Sequence, residues 1–524
     1  MKHQSVEDLS VLSKKFNIPI ESLIDKKLDE KLARRVPAKF AYQYKIVPIR
    51  RENNHITVAV TNNFDLHVLD DLRLLLECEV KPVLCPEKEL LKALKNIYGV
   101  GAETMEALSD EDRKSGKEIK AVVTQAPTDG SEDASIIKFV NQVIREAFFE
   151  RATDIHIEPY EDDLIVRYRV DGILHDIPTP SSIKNFQSSI ISRIKIMSDM
   201  NIAEKRLPQD GRIQFKIDNE TIDLRVSSLP IIHGESIDLR ILPRSQMYLS
   251  LEQLGLPEVY LGSIESLIKK PHGIMLVTGP TGHGKTTTLY ACLSKINTPD
   301  KKIITVEDPV EYQLKRINQV PVHPKIGLTF ANGLRSILRQ DPDIIMVGEI
   351  RDQETAEIAI RSSLTGHLVF STLHTNDAPG AVTRLIDMGI EPYLVSSSVE
   401  AILAQRLVRL VCKKCRVAYK PSKEILTQLY NDDADNDFVI YKAGAGCEEC
   451  RHTGYKGRTG IYELLILDDD LRRLVLEKMS TGNIRKEALA KEMTTLRQDG
   501  FRKVKAGLTT IEEVFRVTQE EVIG

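Results

Sequence analysis

The chain of 524 residues has no tryptophan, and aromatic residues make up only 5% of it. Intrinsic tryptophan fluorescence therefore cannot follow its motions. It has no marked excess of either charge: 72 basic residues stand against 76 acidic ones, for a formal net charge of −4. No global field favours a nucleic-acid partner. No stretch approaches the roughly 18 apolar residues of a membrane-spanning helix. The start, Met-Lys-His-Gln-Ser-Val-Glu-Asp, lacks the apolar core of a signal peptide. These absences point to the cytoplasm and leave peripheral attachment to a membrane protein open. The hydrophobic share of 42% is ordinary for a soluble globular protein, and the length suits about three or four domains.

Cysteine is sparse and unevenly placed. Cys78, Cys85 and Cys292 are scattered and read as small buried apolar residues. The other four form Cys412-Lys-Lys-Cys415 and Cys447-Glu-Glu-Cys450. In a cytosolic chain, two such knuckles predict a tetrahedral structural zinc site rather than disulfides. A redox dithiol and four unconnected thiols are the alternatives. The interval between the knuckles has room for a small helical insertion at Lys423-Glu-Ile-Leu-Thr-Gln-Leu-Tyr430.

What the chain does have is Gly279-Pro280-Thr281-Gly282-His283-Gly284-Lys285-Thr286, which fits the phosphate-binding pattern G-x-x-x-x-G-K-[ST]. Glycines let the backbone turn its N–H groups inward as an anion nest. Lys285 can reach the β- and γ-phosphates, and the Thr286 hydroxyl can hold Mg²⁺. The residues from His272 to Thr278 read as a buried strand, and a helix begins at Thr287, which joins the phosphate-binding run. A helix N-terminus favours phosphate. The chain is expected to bind a nucleoside triphosphate.

Two further apolar strands end in acid. One carries Glu307, Asp308 and Glu311; the other carries Glu349, followed by Arg351 and Asp352. A third, His367-Leu-Val-Phe-Ser-Thr-Leu-His374, ends in a polar run. Ligands of such folds sit at the carboxyl ends of parallel strands, where a carboxylate can orient water, accept its proton or hold hydrated Mg²⁺. Upstream, alternating strands repeatedly carry arginine: Arg167, Arg169, Arg212, Arg225 and Arg240. Such a row is either a solvated face or a supply of phosphate ligands.

Together these blocks resemble the type II/IV secretion ATPase superfamily, the type II secretion branch above all and the type IV pilus extension branch next. Residues 134–520 carry the resemblance, including Ala152-Thr-Asp-Ile-His-Ile-Glu-Pro159 and Arg206-Leu-Pro-Gln-Asp-Gly-Arg212. It implies an α/β chain: a small N-terminal docking domain (1–100), a flexible linker (101–133), a PAS-like α/β domain (134–249), a RecA-like P-loop NTPase domain (250–410), a tetracysteine zinc subdomain (411–460) and a C-terminal helical region (461–524). It implies ATP, Mg²⁺ and Zn²⁺, with catalytic work by Glu349, Glu311, Glu307, His367 and His374. Arg206, Arg212, Arg225 and Arg240 stand where relatives place arginines facing nucleotide. The implied working form is a homohexamer, docked through its N-terminal domain on inner-membrane platform proteins and driving pseudopilus assembly and export, with no direct nucleic-acid contact. A DNA-uptake or conjugation motor is the rival from another class. One position departs from the pattern: His283 stands where a small residue is usual, and its imidazole is expected to lend pH sensitivity. The N-terminal repeat of Arg-Leu-Gly and Leu-Val that marks a cyclic-dinucleotide module in some relatives is not found, so that ligand is not expected.

Overall fold

The computed structural model describes residues 6–24, 26, 28–52, 55–61, 66–102, 130–218, 220–243, 249–421 and 439–518. It divides into two units, Met1–Pro243 and Arg244–Gly524. The first holds two sheets. Strands β1 (Ile46–Glu52), β2 (His55–Val60) and β3 (Glu79–Leu84) form a small mixed sheet in that order. Helices such as Leu66–Leu76 and Glu87–Tyr98 pack on it around a core of their own. The expected strands at 46–49 and 56–60 are β1 and β2, while β3 was not foreseen. The expected linker lies outside the described residues over 103–129, and its end opens the helix Gly130–Phe149.

That helix and Gln187–Met197 cover one face of an antiparallel sheet: β4 (Ala152–Pro159), β5 (Leu164–Val170), β6 (Ile173–Ile177), β7 (Gln209–Ile217), β8 (Glu220–Ile231) and β9 (Gly234–Pro243). Its order is β6-β5-β4-β9-β8-β7. Alternation assigns the faces: Ile155, Ile157, Leu224, Val226 and Leu239 point into the core, so the intervening polar residues lie opposite.

The second unit is built on β10 (Gly273–Thr278), β11 (Ile303–Glu307), β12 (Ile317–Pro321), β13 (Ile344–Val347), β14 (Leu368–Leu373), β15 (Val399–Val411) and β18 (Tyr455–Ile466), with β16 (Val417–Tyr419) and β17 (Ile440–Lys442) as a separate pair. The large sheet runs β12-β11-β13-β14-β10-β15-β18, all neighbours parallel except the last pair. Every residue of β10, β11, β13 and β14 is buried, as expected of parallel strands covered on both faces. The cysteine knuckles lie between β15 and β18, so a boundary at 460 cuts through β18: the zinc segment is an insertion between two paired strands. Among the described residues, no helix is long and apolar enough to cross a membrane.

Candidate nucleotide site and cysteine cluster

The loop after β10 leads directly into the helix Lys285–Ile296. Gly279 (φ +148°) and Gly284 (φ +81°) are required by a close approach of β15: a Cβ would stand 2.5 Å from the Gln405 carbonyl oxygen at the first and 2.9 Å from Gln405 Nε2 at the second. Gln405, absent from the sequence reading, clamps the loop. Its Nε2 donates to the His283 carbonyl at 2.9 Å and its Oε1 accepts from the Thr288 hydroxyl at 2.6 Å. Lys285 is buried and donates to the carbonyls of Gly279 (2.7 Å) and Pro280 (3.1 Å). Burial brings its pKa down to about 8 against the pull of Glu349, with Arg406 acting alongside burial. Thr286 and Thr287 are half-buried in the first helical turn, while Thr281 and Gly282 are exposed.

A cavity of about 350 Å³ opens beside the loop, lined among others by Pro280, His283, Asn376, Arg406 and Arg497. His283 Nδ1 accepts the Leu407 backbone N–H at 2.9 Å. Burial, then the cations Arg406, Arg516, Lys285 and Arg458, push the imidazole pKa down to about 4. The expected pH sensitivity near neutrality therefore has no proton to act through.

Glu349 is placed by the chain's passage over β14 and β11. Gly348 N–H donates to Val306 O at 2.8 Å, Thr372 Oγ1 donates to Gly348 O at 2.8 Å, and Ile350 N–H donates to Thr372 O at 3.0 Å. His374 Nε2 stands 3.0 Å from Glu349 Oε2, and Arg351 bonds Oε1 while lying 3.8 Å from Asp308. Burial alone would raise the Glu349 pKa; the hydrogen bonds of Arg351 and His374 outweigh it and hold the carboxylate below its ordinary range. Arg351, which the sequence marks only as following Glu349, is a member of this site.

Two expected residues do not join this group. Glu307 is buried, and its carboxylate accepts from Thr305 and Tyr290 hydroxyls and from Gln319 Nε2 at 3.1 Å. Burial raises its pKa, opposed by those bonds. It is committed inward, as a residue holding β11 to β12 and the loop helix would be. His367 precedes β14 whereas His374 follows it, and β14 lies parallel to β10 with Thr278 opposite Leu373. The strand's six residues, at about 3.3 Å each, put His367 at the far edge of the sheet. There its Nδ1 bonds Ser362 O at 2.8 Å. Pairing His367 with His374 at the nucleotide is thus corrected: only the second lies at the carboxyl end. Glu311, half-buried, lies beyond β11.

In the first unit four of the five strand arginines fall into one transverse row, and Arg167 stands in the next. Arg212 pairs with Arg225, Arg225 with Arg240, Arg240 with Asp154, and Asp154 with Arg169 across β7-β8-β9-β4-β5. All lie on the face turned from the core. Arg206 stands off the row in the preceding loop, exposed and bonded to Glu204 at 2.8 Å.

The antiparallel pair β15 and β18, with Val411 opposite Tyr455, brings both knuckles to one sheet end. The sulfurs of Cys412, Cys415, Cys447 and Cys450 all lie within 4.8 Å of one another, with Cys412–Cys447 at 3.7 Å and Cys415–Cys450 at 3.6 Å. A tetrahedron with Zn–S of about 2.3 Å needs sulfurs about 3.8 Å apart. Backbone N–H groups of Cys447 (3.2 Å) and Gly454 (3.3 Å) point at Cys450 Sγ, which suits thiolate charge. The donor set fits zinc. The helical insertion expected between the knuckles lies outside the described residues.

A largely parallel sheet with a phosphate loop on an inner strand and a glutamate one strand beyond its neighbour defines a RecA-like P-loop NTPase. Residues 129–516 match the family described as type II/IV secretion system protein, and residues 16–104 match the MshEN domain. The chain belongs to the type II/IV secretion system protein family and is an ATP-hydrolysing enzyme. It is 45% identical over 487 residues to type II secretion system protein E of Xanthomonas campestris, covering 92% of this chain and 84% of that one. It is 42% identical to the type II secretion system ATPase E of Vibrio cholerae, covering 93% and 97%. The type IV pilus assembly ATPase PilB of Myxococcus xanthus is also 42% identical, covering 96% and 89%. Among solved structures, the pilus retraction motor PilT with bound ADP aligns at a TM-score of 0.50 and 27% identity, over 72% of this chain and 97% of that one.

Proposed function

We propose that this chain is the ATPase motor of a type II secretion system. The observation that carries the mechanism is the convergence of Lys285, Glu349, Arg351 and His374 around the carboxyl ends of parallel strands. ATP is held along residues 279–287, with Lys285 leaving the Gly279 and Pro280 carbonyls for the phosphates. The Thr286 hydroxyl would hold Mg²⁺, which when bound would supply charge neutralisation on the phosphates. Glu349, kept ionised, orients the attacking water and takes its proton; Glu311 is the second candidate for that step. His374 holds the second oxygen of Glu349 in place. Arg212, Arg225 and Arg240 neutralise charge developing on the γ-phosphate of the same or a neighbouring copy. Zn²⁺ on the four cysteines is structural. The working form is a cytoplasmic homohexamer at the inner membrane, docked through the N-terminal residues on platform proteins.

Pilus assembly is the second reading, favoured by the 42% identity to a pilus ATPase over 96% of the chain. Deleting the gene in its host and restoring wild type or Glu349→Gln decides between them. Cargo retained inside the cell, with pili intact and no rescue by the variant, is the expected result. Lost pili with normal export would overturn the secretion reading.

A further inference from the structure

We propose that Asp154 is the positioning residue of Arg240 in the arginine row, the carboxylate that sets the direction in which this guanidinium leaves the sheet. The inference rests on the reading that this row meets the nucleotide. Neighbouring strands lie about 4.8 Å apart, so arginines facing one another across β7, β8 and β9 repel, and like charges directly opposite destabilise a sheet. Left alone, long side chains in such a row would splay apart in many rotamers.

Asp154 is the acidic member of the row, and it is 5% exposed. Its Oδ1 accepts from Arg240 Nε at 2.8 Å, and its Oδ2 lies 3.7 Å from Arg169 Nε. The Thr153 hydroxyl donates to Oδ2 at 2.7 Å, so the carboxylate itself cannot swing. Arg240 is gripped through Nε, the nitrogen closest to the aliphatic stem, which fixes the plane of its guanidinium as well as its place, whereas Arg169 makes only an ion-pair contact with the carboxylate and donates from Nη1 to the Gly172 carbonyl at 3.3 Å. Asp238, one row along the same face, does not substitute for it: it faces His156 at 3.4 Å. Arg167, in that second row, is paired with Glu158. Asp154 thus acts through Arg240, and displacement of such a group by about 1 Å is enough to cost about a hundredfold in rate.

The test is steady-state ATP hydrolysis by the full chain carrying Asp154→Asn, Arg240→Ala, both together, or Asp154→Glu. Asp154→Asn is expected to lower kcat about thirtyfold while KM for ATP stays within about twofold. Adding Arg240→Ala to it should cost less than about threefold more, since both act on one guanidinium. Asp154→Glu should recover part of the loss. Wild-type kcat in Asp154→Asn beside a slow Arg240→Ala overturns the positioning role and leaves the row's role standing; fully additive losses overturn it as well. Wild-type rates in Arg240→Ala and in Arg225→Ala overturn the underlying reading and this inference with it. Should Asp154→Asn fail to fold, Thr153→Val loosens the same carboxylate. There an expected loss of about threefold in kcat at constant KM supports the role, and no loss overturns it.

Discussion

His283 Nδ1 accepts the Leu407 N–H at 2.9 Å, so the one unusual side chain of the phosphate loop is a neutral strut between that loop and β15. Its pKa of about 4 lies below the ordinary 6.5. Hydrolysis by His283→Ser should therefore follow the wild-type pH profile between about pH 6 and 8.5. The stability signature is different. The unfolded chain takes up the proton first, so the folded state is fully favoured above about 6.5 and loses ground as pH falls toward 4. Thermal melting should fall off more steeply below pH 6 in wild type than in His283→Ser. A shifted rate profile near neutrality would refute this.

Glu349 and Glu307 should separate cleanly. Glu349→Gln removes an ionised carboxylate at the carboxyl end of β13 and should slow hydrolysis by about 10²–10⁴-fold while retaining binding of an ATP analogue. Glu307→Gln keeps a hydrogen-bonding side chain among Tyr290, Thr305 and Gln319. It should cost less than about tenfold in kcat and show itself mainly as a lower melting temperature. Equal losses in kcat would place Glu307 in the chemistry.

The difference between these glutamates was not legible in the sequence, where both end an apolar strand. The two strands run parallel, so the neighbours on each side decide it, and those come from sheet order. The phosphate loop and the cysteine pairs were legible because their chemistry needs fixed residue types at short spacing. His367 and His374 show the limit: periodicity marks a strand between them, and only the carboxyl-end rule, applied strictly, selects the second. The arginines on β7, β8 and β9 were legible as polar-face residues. Their union into one row depends on hairpin register, which long-range pairing sets. Gln405 and Arg406 were missed because they lie within a largely apolar strand, where polar side chains give no local signal of the loop they touch.

Elemental analysis of the purified full chain should find about one zinc per chain. Cys412→Ser or Cys450→Ser should lose the metal and lower the melting temperature, because the cluster closes the open end of β15 and β18. ATP hydrolysis by the zinc-free protein at low temperature should persist, since no cysteine lies in the phosphate loop. A full metal content in Cys450→Ser would exclude the four-sulfur site.

Glu513 ties the helix Ile511–Val517 back to β15, and the side chain is 2% exposed. It accepts from Arg409 Nη2 at 2.6 Å, from the Arg409 N–H at 2.9 Å and from Arg516 Nη2 at 2.8 Å. Burial alone would raise its pKa, but the bonds from Arg516 and Arg409 bring it to about 2, below the ordinary 4.5. A lowered folded-state value means that the stabilisation is fully present above about pH 4.5 and disappears as pH falls toward 2. The shift corresponds to roughly 3 kcal/mol. Glu513→Gln leaves Arg409, largely buried, without its anion. It should lower the denaturation midpoint at pH 7 by a comparable amount, roughly 3 kcal/mol. Between pH 5 and 3 the wild type should lose stability toward the variant, so the gap between them narrows. A gap that stays constant over that range would show that folding does not lower the Glu513 pKa.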